Sequence, residues 1–330
     1  MQSILMKYKY TSSPCSSSSA CEPQFSSLFF CLTLKKEIIA VESSDPVGKA
    51  RPSSIVQNIS VLNSQRLSLS FVKDGGCKVS CSKVKMEDTL NDEACELVNG
   101  VELSLGEGTD SINAYLCTAV KNNNGTGVLL LSDIFGFEDS ATRDFAYRVA
   151  CNGYNVLVPD LFRGDPWEKG RPQTSFEPWL ANQSPERVAK DIDTWIRWMV
   201  DEFVAAGISK KLGVLGFCFG GGRVLDVLAR DQGACFGIGV SFYGTRIDPN
   251  VAASVKVPVL FIAGDNDPLC PVSGLQEIEK NIVEGSKVVI YKGRGHGFAH
   301  RPQSAEEDAD ADEAFTVMRN WLYNGLVLVQ

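Results

Sequence analysis

An apolar run, Leu212 to Leu215, ends in Gly216-Phe217-Cys218-Phe219-Gly220, with two more glycines at Gly221 and Gly222. No other feature restricts the fold of this chain as much. A strand that turns abruptly into a helix through Gly-x-nucleophile-x-Gly is a nucleophile elbow. The turn forces its middle residue into strained backbone angles, so the positions two before and two after it must be nearly free of side chain. Such elbows usually carry serine; this one carries cysteine, which makes the expected chemistry that of a thiolate. Gly-rich strand-to-helix turns also cradle phosphates, so residues further along the chain have to decide between the two uses.

The chain contains only two histidines, His296 and His300. After Cys218 a second apolar run, Val257 to Ala263, leads into Gly264-Asp265-Asn266-Asp267-Pro268. A third, Lys287 to Tyr291, leads into Gly293-Arg294-Gly295-His296-Gly297-Phe298. Nucleophile, acid and histidine thus follow one another, each just past the carboxyl end of a strand, where open α/β sheets build their sites. That is the chain order of the α/β-hydrolase fold. Asp265 and Asp267 compete for the role of orienting His296. His300 is expected to be solvated or to face the substrate.

Strands are expected at Gly127–Leu131, Asn155–Val158, Leu212–Gly216, Ile238–Phe242, Pro258–Ala263 and Lys287–Tyr291. A leading antiparallel hairpin, 102–105 with 112–117, precedes them. Helical patterns lie at 140–152, 186–206, 220–229, 272–282 and 305–323. Strand alternating with helix predicts an α/β-hydrolase fold, a doubly wound, mostly parallel sheet with helices on both faces. In the 186–206 segment Val188, Ile192, Ile196 and Met199 recur at helical spacing and mark a core stripe. Trp195 and Trp198 are read as core packing rather than as a ligand platform.

Charge divides the chain. Residues 1–85 hold eleven Lys/Arg against five Asp/Glu and 19 serines, a net +6 within a whole-chain charge of −8. This basic, Ser-rich stretch has no convincing helical or strand period. It reads as a leader over residues 1–82, an organelle transit peptide directed to a chloroplast. The alternative is a low-complexity tail on a cytoplasmic protein. Residues 83–330 form the catalytic domain, whose acidic balance excludes nucleic acid as a natural partner. No run of about 18 apolar residues occurs, so no membrane span is expected. A monomer or small homo-oligomer is expected.

Of the eleven cysteines, five lie in the leader and six, Cys95, Cys117, Cys151, Cys218, Cys235 and Cys270, in the domain. None of the six forms a C-x-x-C pair, and with two clustered histidines no metal ligand set and no cofactor are implied. Cys117, Cys151 and Cys235 read as small buried apolar residues. Cys270, three residues from Asp267, is the remaining candidate for a redox or site-lining role.

From about Glu96 onward the chain resembles the dienelactone hydrolase family, best known for carboxymethylenebutenolidase activity. Leu131-Ser132-Asp133-Ile134-Phe135-Gly136 is similar to the family's strand end and acidic-Ile-Phe-Gly turn. Gly153 to Phe162 resembles its next strand, closed by Pro-Asp-Leu. The cysteine elbow and Gly295-His296-Gly297-Phe298 complete the match. The resemblance selects Asp267 over Asp265, giving a triad of Cys218, Asp267 and His296. It implies an oxyanion hole from the N–H groups of Ile134 and Phe219. It also places Asp133 where the family carries a glutamate that interacts with the resting thiol. Substrate-holding arginines would come from Arg301, Arg294, Arg163 or Arg171. Where the family places an arginine shortly after its histidine, this chain has His300, with Arg301 one step on.

The sequence therefore predicts a carboxylic ester hydrolase for small esters or lactones that works through an acyl-cysteine intermediate. Two other readings use the same residues: a non-catalytic small-ligand receptor and a glycan hydrolase. The last requires two carboxylates about 5–10 Å apart across a sugar-sized cleft.

Overall fold

The computed structural model describes residues 7–10, 98–106, 108–205 and 207–328. All but four residues of the expected leader, Cys95 and the tip of the leading hairpin at Glu107 lie outside the described residues.

Nine strands form one sheet among the described residues. They are β1 (Lys7–Tyr10), β2 (Val98–Leu105), β3 (Ile112–Ala119), β4 (Gly127–Leu131), β5 (Asn155–Pro159), β6 (Leu212–Phe217), β7 (Phe236–Phe242), β8 (Val259–Gly264) and β9 (Lys287–Tyr291). Their order is β1-β2-β3-β5-β4-β6-β7-β8-β9. The first three pairings are antiparallel, and from β5 to β9 every pairing is parallel. Pairs such as Leu131 with Gly216, and Phe217 with Phe242, align the carboxyl ends of β4, β6 and β7 along one edge. The loops leaving that edge carry the candidate residues.

Every residue of β4, β5, β6 and β8 is buried. That is the expected state of parallel strands covered on both faces, and it explains why their sequences are continuous apolar runs rather than alternations. The leading hairpin is longer than its alternating pattern: β2 begins at Val98 and β3 runs to Ala119. Against the expectation that the leader lacks a strand, Lys7–Tyr10 pairs with Tyr10 opposite Val101 and Lys7 opposite Ser104. Its Lys-Tyr-Lys-Tyr alternation has the period of a strand.

The helices are α1 (Ser140–Cys151), α2 (Phe176–Ala181), α3 (Pro185–Met199), α4 (Cys218–Asp231), α5 (Val272–Asn281) and α6 (Ala305–Leu322). Asp139 caps α1 by accepting from the N–H groups of Ala141 and Thr142, while Ser184 and Ser304 cap α3 and α6. Each side chain satisfies donors that the first helical turn leaves without partners. Helix α3 holds the whole apolar stripe but ends at Met199, short of the expected 206, and continues as a wider turn over Val200–Val204. Trp195 is fully buried and meets Trp198 edge-on at 5.9 Å, so this pair is core.

Beneath the elbow, Phe217 packs edge-on against Phe145 at 4.6 Å and lies 5.0 Å from Phe242. All three rings are buried. Burying each contributes about 1.5–3 kcal/mol, and this packing fixes the end of β6 from below. None of the helices among the described residues is long and apolar enough to cross a membrane.

Candidate active site

Cys218 has φ 51°, a left-handed conformation that non-glycine residues rarely adopt. The glycines around it make that geometry attainable. A side chain on Gly220 would place its Cβ 2.2 Å from the Leu131 carbonyl oxygen, and one on Gly222 would lie 2.0 Å from that of Thr245. Helix α4 therefore packs directly on the neighbouring strand ends, and Cys218 stands half-buried at its first turn. The Gly220 N–H donates to the Ser132 carbonyl at 3.1 Å, and the Thr245 N–H donates to the Cys218 carbonyl at 2.9 Å. The elbow is thus tied to the loops after β4 and β7.

His296 Nδ1–H donates to Asp267 Oδ2 at 2.7 Å. The Asp267 side chain is completely buried, and its other oxygen accepts from the Leu269 N–H at 2.9 Å. Asp265 takes a different position: it is exposed and accepts from the Gly293 N–H, bridging the acid and histidine loops. The opposite nitrogen of His296, Nε2, is buried and forms no aligned hydrogen bond. Cys218 lines the same cavity as His296. Burial opposes protonation of His296, but Asp267 and then Cys218 outweigh it and raise its pKa from 6.5 to about 9. The structure thus brings Cys218, His296 and Asp267 together, with an imidazolium favoured at neutral pH.

Ile134 lies in the loop that leaves β4, three residues past Leu131. Its carbonyl accepts from the Trp167 N–H at 2.8 Å, while its own N–H has no acceptor among the described residues. The Phe219 N–H belongs to the first turn of α4, where backbone donors have no partner within the helix. Ile134, Phe219, Cys218 and His296 all line one cavity of about 540 Å3.

The other expectations meet a different outcome. Both oxygens of Asp133, the residue expected to interact with the thiol, have other partners. Oδ1 accepts from the Phe135 N–H at 2.9 Å, and Oδ2 accepts from His300 Nε2–H and Arg301 Nε–H, each at 2.9 Å. Burial pushes its pKa up, but His300 and Arg301 pull it below the ordinary carboxylate value. His300 is not solvated, although it is among the residues that line the cavity. It is buried, stacked on Phe217 at 4.2 Å, and bonded through Nδ1 to the Tyr243 hydroxyl. Burial lowers its pKa, so a neutral ring donates from Nε2 and accepts at Nδ1.

Arg301 lines the cavity but is held by Asp133 and, at 2.6 Å, by Asp139. Arg163 and Arg294 line no part of it. Arg163 makes a bidentate pair with Asp191, both bonds 2.8 Å, and Arg294 is paired with Asp310. Arg171 is taken by Asp165. Strand-end position alone could not reveal that nearby carboxylates already occupied these groups. Cys270 is buried and is not among the residues lining the cavity, and burial, with Asp267 and Cys218 adding to it, raises its thiol to about 12.

Several residues in the cavity wall, and Tyr243 buried behind it, fall outside the sequence reading. Tyr243 and Arg246 follow the carboxyl end of β7, so the strand-end rule that points to the triad also points to them. Tyr243 is fully buried, with φ 37°, and lies 5.1 Å from the His296 ring. Phe176, Glu177 and Leu180 come from α2, a six-residue helix too short for its periodicity to announce it. Among the described residues no group of three His, Cys, Asp or Glu side chains is arranged to hold a metal.

A parallel sheet with helices on both faces, a strained cysteine elbow, and an acid–histidine pair on the following loops define an α/β-hydrolase fold. Residues 112–325 match the dienelactone hydrolase family. The chain is 31% identical over 221 residues to a carboxymethylenebutenolidase homolog of Rattus norvegicus, covering 64% of this chain and 87% of that protein. Its Homo sapiens counterpart is 30% identical over the same shares. The solved dienelactone hydrolase of Anabaena variabilis superposes with a TM-score of 0.52 at 18% identity, over 69% of this chain and 99% of that one, a likeness of fold. The chain belongs to the dienelactone hydrolase family and is a hydrolase.

Proposed function

We propose that this hydrolase cleaves small carboxylic esters or lactones through a Cys218–His296–Asp267 triad and an acyl-cysteine intermediate. One observation carries the reading: the 2.7 Å His296–Asp267 bond stands beside a cysteine held at positive φ on a helix N-terminus. An imidazolium and a helix N-terminus both favour a thiolate.

In the proposed reaction the Cys218 sulfur attacks the ester carbonyl, and the charge that develops on oxygen falls between the N–H groups of Ile134 and Phe219. Losing one such donor typically costs about 3–4 kcal/mol of transition-state stabilisation. As the tetrahedral intermediate collapses, the carbon–oxygen bond breaks and His296 gives its proton to the departing alkoxide. Neutral His296 then takes a proton from water, which attacks the thioester. The carboxylic acid leaves, and the thiol and its imidazole partner are restored. Asp267 keeps one ring orientation throughout.

Glycan hydrolysis has less support. The cavity carboxylates are Asp133, bound by His300 and Arg301, and Glu177, paired with Arg246. The basic, Ser-rich composition of residues 1–82 supports the further reading that the enzyme works in a chloroplast.

The test is 4-nitrophenyl acetate turnover by Cys218→Ala, with folding followed by circular dichroism. Turnover is expected to fall by about 10³-fold or more with the melting curve retained. Undiminished multiple turnover in that variant would end the reading.

A further inference from the structure

We infer that the site selects neutral, apolar esters over anionic ones, and that Glu177 enforces the choice by occupying Arg246. The inference rests on the triad reading above and names the substrate class that such a triad would serve here.

The cavity wall is mainly apolar, with Ile134, Phe135, Phe176, Leu180, Phe219 and Leu269 facing the space beside Cys218. Leu269 is 58% exposed, unusual for a large aliphatic side chain, and it adjoins the acid loop at the mouth. A pocket of about 540 Å3 falls within the range for small-molecule sites, roughly 300–1,000 Å3. An acyl chain or aryl group entering it would cover Leu269 and the phenyl rings.

The charges of the wall point the same way. Two arginines line the cavity, Arg246 and Arg301, and so do two carboxylates, Asp133 and Glu177. Arg301 has no capacity to spare, since it is only 17% exposed and bound to two aspartates. Arg246, held at φ 55° just after Thr245, extends to α2, where both Glu177 oxygens lie 3.5 Å from its guanidinium in a solvent-exposed pair, the side chains 57% and 75% exposed. Arg223 and Lys169 sit against the rings of Phe219 and Phe135 but are not part of the wall, and Arg223 is paired with Asp226 at 2.8 Å. Each cation of the wall therefore already has its carboxylate. An anionic substrate would have to displace a tethered carboxylate from Arg246 and then lie beside it. A neutral substrate meets neither cost.

The experiment compares 4-nitrophenyl hexanoate with the mono-4-nitrophenyl ester of adipic acid, an acyl chain of the same length ending in a carboxylate. Wild-type kcat/KM is expected to favour hexanoate by about tenfold, and Glu177→Gln is expected to raise the adipate-to-hexanoate ratio roughly 3- to 10-fold. Arg246→Gln, which removes the cation and leaves Glu177, should lower that ratio further. If wild type uses the adipate ester as well as hexanoate, or if Glu177→Gln leaves the ratio where it was, the selectivity proposal is overturned and the triad reading stands. If neither ester is turned over above background, the triad reading fails and takes the proposal with it.

Discussion

Replacing Asp267 with asparagine tests the electrostatic centre of the site. The buried carboxylate accepts from His296 Nδ1–H, and His296 is raised from 6.5 to about 9 although burial alone would lower it. At about 1.4 kcal/mol per pKa unit, the imidazolium is favoured by on the order of 3 kcal/mol, shared between Asp267 and Cys218. A histidine whose folded pKa lies above its unfolded value adds stability that is complete below about pH 6.5 and is lost as pH rises through about 9. Asp267→Asn removes the strongest single partner and leaves the desolvation in place, so the pKa of His296 should fall. Urea unfolding of wild type and variant across pH 6–10 reads the difference directly. The wild-type advantage should be greatest at the acid end and shrink by roughly 2–3 kcal/mol toward pH 10. Ester turnover at pH 7 should fall by about 10²–10⁴-fold, because the ring loses both its orientation and its charge. A stability gap constant across pH would show that Asp267 acts only as packing and would refute the electrostatic argument.

Two further outcomes follow from the same geometry. Burial raises the thiols of Cys117 and Cys270 to about 12, so at pH 8 iodoacetamide should label Cys218 at least about tenfold faster than either, as read by peptide mass spectrometry. His300→Leu strips a bond from Asp133 and from the Tyr243 hydroxyl, both buried, and should cost about 1–3 kcal/mol in urea unfolding. The same substitution loosens the loop that carries the Ile134 N–H, so kcat should fall more than KM changes, and His300→Asn should recover part of the loss.

The residues most legible in the sequence were those whose backbone environment allows few alternatives. The elbow glycines could be read because Gly220 and Gly222 approach carbonyl oxygens more closely than any Cβ permits. The parallel strands could be read because burial on both faces leaves an unbroken apolar run. Asp267 and His296 could be read because each follows such a run. The fate of the arginines was not legible. Arg163 points to Asp191, 28 residues away, and Arg301 to Asp133, 168 residues away. Such pairings exist only once the strand order is known. Helix α2 was missed for a different reason: six residues carry too little periodicity, and Phe176 and Leu180 line a cavity while Trp179 packs into the core.

Two departures from the family pattern acquire a joint meaning in the folded molecule. Aspartate stands at 133 where the resemblance calls for glutamate, and histidine stands at 300 where it calls for arginine. In sequence these are unrelated changes; in the structure they are partners in one 2.9 Å hydrogen bond. A carboxylate one methylene shorter stays close to the end of β4, and the imidazole, stacked on Phe217 and held by Tyr243, is placed to meet it there. Arg301 closes the cluster from the next position along the loop and ties it to Asp139 at the start of α1. The acid thus ties the Ile134 loop to His300 and Arg301, with both its oxygens bonded to groups other than the sulfur. In the proposed mechanism Cys218 then relies on His296, and the pair would need no displaced acid before it acts. Iodoacetamide labelling of Cys218 should accordingly be as fast without substrate as in the presence of a non-hydrolysable ester analogue too small to block the cavity mouth. A marked acceleration by that analogue would show that an acid still restrains the thiol.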